Sequence, residues 1–138
     1  MNRAGRYVGI GCGLFLLLGL CTTFVSCYVF VPMPARDAAQ GFLADVRGHD
    51  FASALQRTSA EYQGTHDAGR LEQSVARLTH LSQHTGATFW NASFEDARAT
   101  LDGTLATPDG DVPVGVELVE ADGYWYVDQV VVQGVALE

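Results

Sequence analysis

From Val8 to Val31 the chain runs for 24 residues without a charge, VGIGCGLFLLLGLCTTFVSCYVFV. As a helix rising about 1.5 Å per residue, this run reaches roughly 36 Å, enough to cross a hydrocarbon core of about 30 Å with some tilt. Arg3 and Arg6 precede it and every acidic residue follows it. The positive-inside rule therefore predicts a cytoplasmic N-terminus at residues 1–7, a transmembrane signal anchor at 8–31, and an extracytoplasmic domain at 32–138. Tyr7 and Tyr28 stand near the two ends, at headgroup depth. A cleaved signal peptide would have a shorter apolar core, about 7–15 residues, ending at a small-x-small site. A third alternative is a lipoprotein acylated at Cys27, since Ser26 supplies the small residue before the cysteine, although Phe24 stands where Leu is usual. All three readings stay open. The anchored and acylated ones agree on a chain held at the outer face of a membrane.

Beyond Pro32 the period becomes helical. Ala35, Ala38, Ala39, Phe42, Leu43 and Val46 follow the i, i+3, i+4, i+7 spacing of a one-sided helix, and Gly48 closes it. Asp50 is placed to cap a second helix with Phe51, Ala54 and Leu55 inward. After a polar loop at Gln63-Gly64-Thr65-His66, a third helix is predicted from near Asp67 to Gln83 or His84, burying Leu71, Val75 and Leu78. From Gly86 the period falls to two. Strands are predicted over Thr88–Phe94, over Ala97, Ala99, Leu101 and Leu105, over Val112, Val114, Val116 and Leu118, and over Tyr124–Val132. Pro108-Asp109-Gly110 and Ala121-Asp122-Gly123 carry turn chemistry between them. The last strand is apolar on both faces except at Asp128 and Gln129, which predicts a central position or packing on both sides. Helices gathered before an antiparallel meander give an α+β domain of three helices packed on a four-stranded sheet.

Composition narrows the chemistry. The chain has 138 residues, 8 Arg, no Lys, and a formal charge of −8. That figure averages a net +2 over residues 1–33 and a net −10 over 34–138, where 6 Arg face 16 acids. Without Lys there is no Walker P-loop, no Schiff-base enzyme and no Ser-x-x-Lys hydrolase. An acidic domain is also a poor ligand for nucleic acid, which rewards clustered cations. Cys12, Cys21 and Cys27 all lie in the apolar run, so the outer domain has no disulfide, thiolate nucleophile or cysteine metal site. Gly5, Gly9 and Gly13, four apart, form a small-xxx-small series that would permit a homodimer through the span.

The closing segment Gly103–Val132, with Asp122-Gly123-Tyr124-Trp125-Tyr126-Val127-Asp128, resembles the C-terminal half of NTF2-like (cystatin-like) domains, where a D-G-x-W-x-V strand packs on the helices. Phe42–Ser59, a helix followed by Gly-x-Asp-Phe-x-x-Ala-Leu, resembles their opening. The likeness spans nearly all of residues 35–136 and extends to small membrane-anchored bacterial proteins of unknown function. It implies the fold rather than an activity, because this fold hosts enzymes, binders and assembly parts.

NTF2-like enzymes commonly hold an Asp/His or Tyr/Asp set in the cone between sheet and helices, and the resemblance makes Asp128, Tyr62, His66 and Asp102 the candidates. Asp128 stands out as a carboxylate in an apolar strand; its plainer roles are to pair with a neighbouring Arg such as Arg47 or Arg57, or to point to solvent at a strand end. Tyr62, Trp90, Trp125 and Tyr126 are the candidates for lining a ligand pocket, with core and cross-strand packing as the plainer role of the aromatics. His80 and His84, four apart, are spaced for a shared metal. On a continuous helix, however, both face away from Leu71, Val75 and Leu78, so two solvated histidines are expected and no metal or other cofactor is assigned. The leading expectation is a membrane-anchored, non-enzymatic binding or interaction module, whose partner is an envelope protein or a small apolar ligand. The alternative is an isomerase- or dehydratase-like enzyme using Asp128 with Tyr62 or His66.

Overall fold

The computed structural model describes residues 33–138. The predicted span at 8–31, its glycine series and Cys27 lie outside the described residues. Among residues 33–138 no helix is long and apolar enough to cross a membrane.

Helix α1 (Met33–Arg47) buries Ala35, Ala39, Phe42, Leu43 and Val46, the stripe its spacing predicts. Gly41 lies under Arg57, whose guanidinium would stand 2.6 Å from a Cβ there, while Arg57 Nε donates to Asp45 at 2.5 Å. After Gly48, His49 turns the chain at φ 58°, and Asp50 caps α2 (Phe51–Gln56) by accepting from the Ser53 backbone N–H at 3.1 Å. The Ser53 hydroxyl and then the Ser53 amide, both donating to the Asp50 carboxylate, lower its pKa below the ordinary value. Ser59 and Asp67 cap α3 (Ala60–Thr65) and α4 (Ala68–Arg77) in the same way. A short α5 (Thr79–Ser82) completes the helices.

Five helical segments therefore replace the three predicted. The polar stretch at Gln63–Thr65, taken as loop, lies in α3, where the Ser59 cap overrides its weak propensity. The predicted third helix breaks at Leu78 (φ −96°, ψ 84°). On one continuous helix Leu81 would sit roughly 80° off the Leu71 stripe. The break turns it inward, and it is fully buried. The same break carries His84 inward to 3% exposure, with Nδ1 2.6 Å from the Leu81 carbonyl oxygen. His84 is thus not the solvated residue expected.

The sheet is an antiparallel meander of five strands in the order β1 (Gly86–Glu95), β2 (Arg98–Thr107), β3 (Gly110–Ala121), β4 (Tyr124–Val132) and β5 (Val135–Ala136). The fifth strand is one more than predicted, because two residues are too few to carry a period. Asp122 and Gly123, at φ 53° and 80°, make the β3–β4 turn, for which both need left-handed backbone. On the inner face Ala99, Leu101, Leu105, Val112, Val114, Val116 and Leu118 join residues of α1, α2, α4 and α5 in one buried cluster. Thr58 forms a parallel bridge with Val127, and the Ser59 N–H donates to the Val127 carbonyl at 2.8 Å. This ties the α2–α3 link to the side of β4.

Two bulges interrupt the ladders. Phe89 pairs with Gly103 and Asn91 with Asp102, leaving Trp90 as the extra residue in β1. Val127 pairs with Leu118 and Gln129 with Glu117, leaving Asp128 as the extra residue in β4. Gly103 is required beside the first bulge, since a Cβ there would meet the Thr88 carbonyl oxygen at 2.2 Å.

Candidate functional site

Asp128 owes its position to the β4 bulge, which re-aims a side chain that strict alternation would direct otherwise. Its side chain is 21% exposed. The Ser59 hydroxyl donates to Oδ1 at 2.7 Å, and Arg98 Nη1 lies 3.6 Å from Oδ2. Ser59 thereby links two elements, because its oxygen also accepts from the Tyr62 N–H at 3.2 Å as the cap of α3. The ion-pair partner is Arg98 rather than Arg47 or Arg57. Arg57 is held by Asp45, and Arg47 Nη1 donates to the Thr85 carbonyl at 2.5 Å. Arg98 is the one whose strand register brings it onto the outer sheet face near β4.

Asp128, Gln129, Glu61, Tyr62 and Thr65 line a cleft of about 310 Å³ between α3 and β4. Asp128 and Tyr62 are therefore brought to one place. Burial pushes the Tyr62 phenol above its ordinary pKa, with the nearby Arg70 charge acting in the opposite direction. The Tyr62 hydroxyl is buried without a hydrogen-bond partner, so it bonds to neither Asp128 nor His66. His66 instead stacks on the Tyr62 ring, centroids 4.0 Å apart and 6° from parallel. Its Nδ1 lies 2.8 Å from Thr65 Oγ1 and 3.2 Å from the Tyr62 carbonyl oxygen, at the end of its own helix. Neutral Tyr, a paired carboxylate and a helix-end histidine give a polar recess without a linked proton path among them.

The four aromatic pocket candidates do not gather. Tyr62 lines the cleft just described. Trp125 is half-buried and packs edge-to-face on Phe94 with centroids 5.8 Å apart. Tyr126 is half-buried opposite Val119 in the β3–β4 ladder. Trp90 stands on the opposite side of the sheet from the helices, 62% exposed on its bulge. There it borders a groove of about 490 Å³ with Asp102, Pro113, Gly115 and Glu117. Asp102 accepts from Asn91 Nδ2 at 3.1 Å and so belongs to this outer groove, not to the cleft of Asp128. Among the described residues no group of three His, Cys, Asp or Glu side chains is arranged to hold a metal ion.

Reading the sequence by faces alone missed both bulges, yet each left a trace. Inward residues run Phe89 then Ala92, and Val127 then Val130, three apart instead of two. A period-two strand that slips by one residue needs an extra residue there.

No protein-family model matches the sequence, and no curated protein is similar to it. Solved structures are. A candidate NTF2-like transpeptidase from Campylobacter jejuni is 17% identical, with a TM-score of 0.52 over 67% of this chain and 94% of that one. An NTF2-like protein of unknown function from Cytophaga hutchinsonii is 11% identical, covering 71% and 88% at a TM-score of 0.41. A DUF4783 family protein from Bacteroides ovatus is 12% identical, covering 67% and 90% at 0.47. At such identities the likeness is one of architecture. The described residues have an NTF2-like α+β fold, the fold that the closing Asp-Gly-Tyr-Trp motif implied.

Proposed function

We propose that this chain is a single-pass membrane-anchored protein that displays its NTF2-like domain on the outer side as a non-enzymatic binding or interaction module. The observation that carries the non-enzymatic part is the state of Asp128: both of its oxygens are engaged by the fold's own Ser59 and Arg98. Leu101, Leu105 and Val116, each fully buried, fill the space between sheet and helices where a catalytic cone would need polar walls. An isomerase- or dehydratase-like reaction at Asp128 with Tyr62 or His66 would require a proton to pass between groups that share no hydrogen bond here. The partner class is an envelope component or a small ligand. The anchor follows from the uncharged run at 8–31 and the two arginines before it.

Fractionation of the full-length chain tests the anchor. It should stay with membranes through high salt and leave them in detergent. Release of the full-length chain by salt alone would overturn it. Mass spectrometry of the mature N-terminus separates an intact span from a signal cleaved away or a chain beginning at acylated Cys27.

A further inference from the structure

The groove on the outer face of the sheet has a composition that the fold itself does not explain. Its floor is Gly115, in the middle of β3, where a glycine weakens a strand and offers no side chain to pack. The contrast with Gly103 is direct. A Cβ at Gly103 would strike backbone at 2.2 Å, whereas one at Gly115 would find its nearest neighbour, Asp102 Oδ1, at 3.9 Å. Packing therefore requires the first glycine and not the second. What Gly115 provides is open depth between strands, and a strand glycine without an internal reason marks a place where something else comes close.

Around that floor the walls are of one electrical sign. Asp102 and Glu117 stand on neighbouring strands, both exposed, and no lining residue is cationic. Asn91 holds Asp102 Oδ2, while Oδ1 lies over the Gly115 floor. The bulge at Trp90 turns a large indole out to the rim, where it is exposed instead of buried. Asp111 extends the acidic field along the exposed side of β3, while Arg98, opposite Glu95, is turned toward Asp128.

We propose that this groove binds a small organic cation, a guanidinium on a short alkyl stem, with its charge between Asp102 and Glu117, its plane against Trp90 and its stem over Gly115. A guanidinium suits these walls better than an ammonium because it is planar, weakly hydrated and able to stack on an indole while its N–H fork meets carboxylates. The volume, about 490 Å³, falls within the usual range for small-molecule sites, and a free alkylguanidine fits it. This deepens the binding-module reading and rests on it for its role. The anchor is tested by extraction and the groove by titration, so either can fail without the other.

The test titrates the full-length chain, in neutral detergent, with butylguanidinium and with uncharged butylurea. Heat of binding and the fluorescence of the exposed Trp90 are both followed. Butylguanidinium should bind saturably, weaken as salt is raised, and exceed butylurea by roughly tenfold or more. Gly115→Val, whose Cβ would meet nothing nearer than Asp102 Oδ1 at 3.9 Å, should fill the floor and lower its affinity by about tenfold. The near-isosteric pair Asp102→Asn with Glu117→Gln should do the same, with the melting curve of each variant retained as proof of folding. Equal binding of butylurea, no saturable binding of butylguanidinium, or unchanged affinity in either folded variant would overturn the proposal. A blocked Gly-Arg-Gly peptide binding more tightly than butylguanidinium would overturn the small-molecule assignment in favour of a polypeptide partner.

Discussion

The two faces of the sheet share the same strands and obey opposite rules. On the inner face Leu101, Leu105, Val116 and Leu118 are shut away from water in the cluster shared with the helices. On the outer face the positions between them are Thr100, Asp102, Gly115 and Glu117, with Trp90 raised on its bulge. One face is constrained by volume, the other by charge and access. Substitutions on the first should therefore act on stability, and those on the second on what the domain can hold.

The largest effect is expected on the inner face. Leu101→Ala should destabilise the domain by about 2–5 kcal/mol, through lost transfer energy and the cavity left behind, measured by denaturant unfolding. Thr100→Ala, one residue away on the outer face, should stay within about 0.5 kcal/mol of the parent. Equal effects at the two positions would break the comparison. Gly103→Ala comes next, at about 1–3 kcal/mol, because the Thr88 backbone cannot yield to a Cβ as a flexible side chain would. Gly115→Val should be neutral or slightly stabilising, since it restores a β-branched residue to open strand space.

Ser59 joins the start of α3 to β4 through Asp128. Ser59→Ala removes both the α3 cap and the donor to a half-buried carboxylate, and should lower stability by about 1–2 kcal/mol. The smallest effect concerns Tyr62. Its folded pKa is raised above the ordinary 10.0, so the folded state holds the phenolic proton more tightly than the unfolded chain. The corresponding stability is fully present below pH 10 and is lost as pH rises through the folded value. Tyr62→Phe should reduce the alkaline loss of stability and, by removing a buried hydroxyl without a partner, raise the curve slightly near neutrality, followed by unfolding at a series of pH values.

Local chemistry made much of the fold readable. The stripe from Ala35 to Val46, the Asp50 cap and the alternation from Val112 to Leu118 each express a single element's own period, and all appear as predicted. The features that define the surface sites depend instead on a partner. The break at Leu78 exists because Leu81 finds room in the core, and the bulges at Trp90 and Asp128 exist because neighbouring strands fix the register. The candidate residues Asp128 and Tyr62 do share a cleft, but the sides taken by Asp128 and Trp90 depend on slipped strands, and the place of His66 on where α3 ends.

The small bridge between Thr58 and Val127 has a consequence beyond the cleft it helps to build. A meander leaves its last long strand with unpaired amides, an invitation to add a strand from another chain. Here β5 covers Val131 and Val132, and the α2–α3 link occupies both backbone groups of Val127. At the other margin, β1 is broken in the middle by the Trp90 bulge. The sheet can thus expose an acidic, aromatic face to solvent while both of its margins discourage edge-to-edge polymerisation.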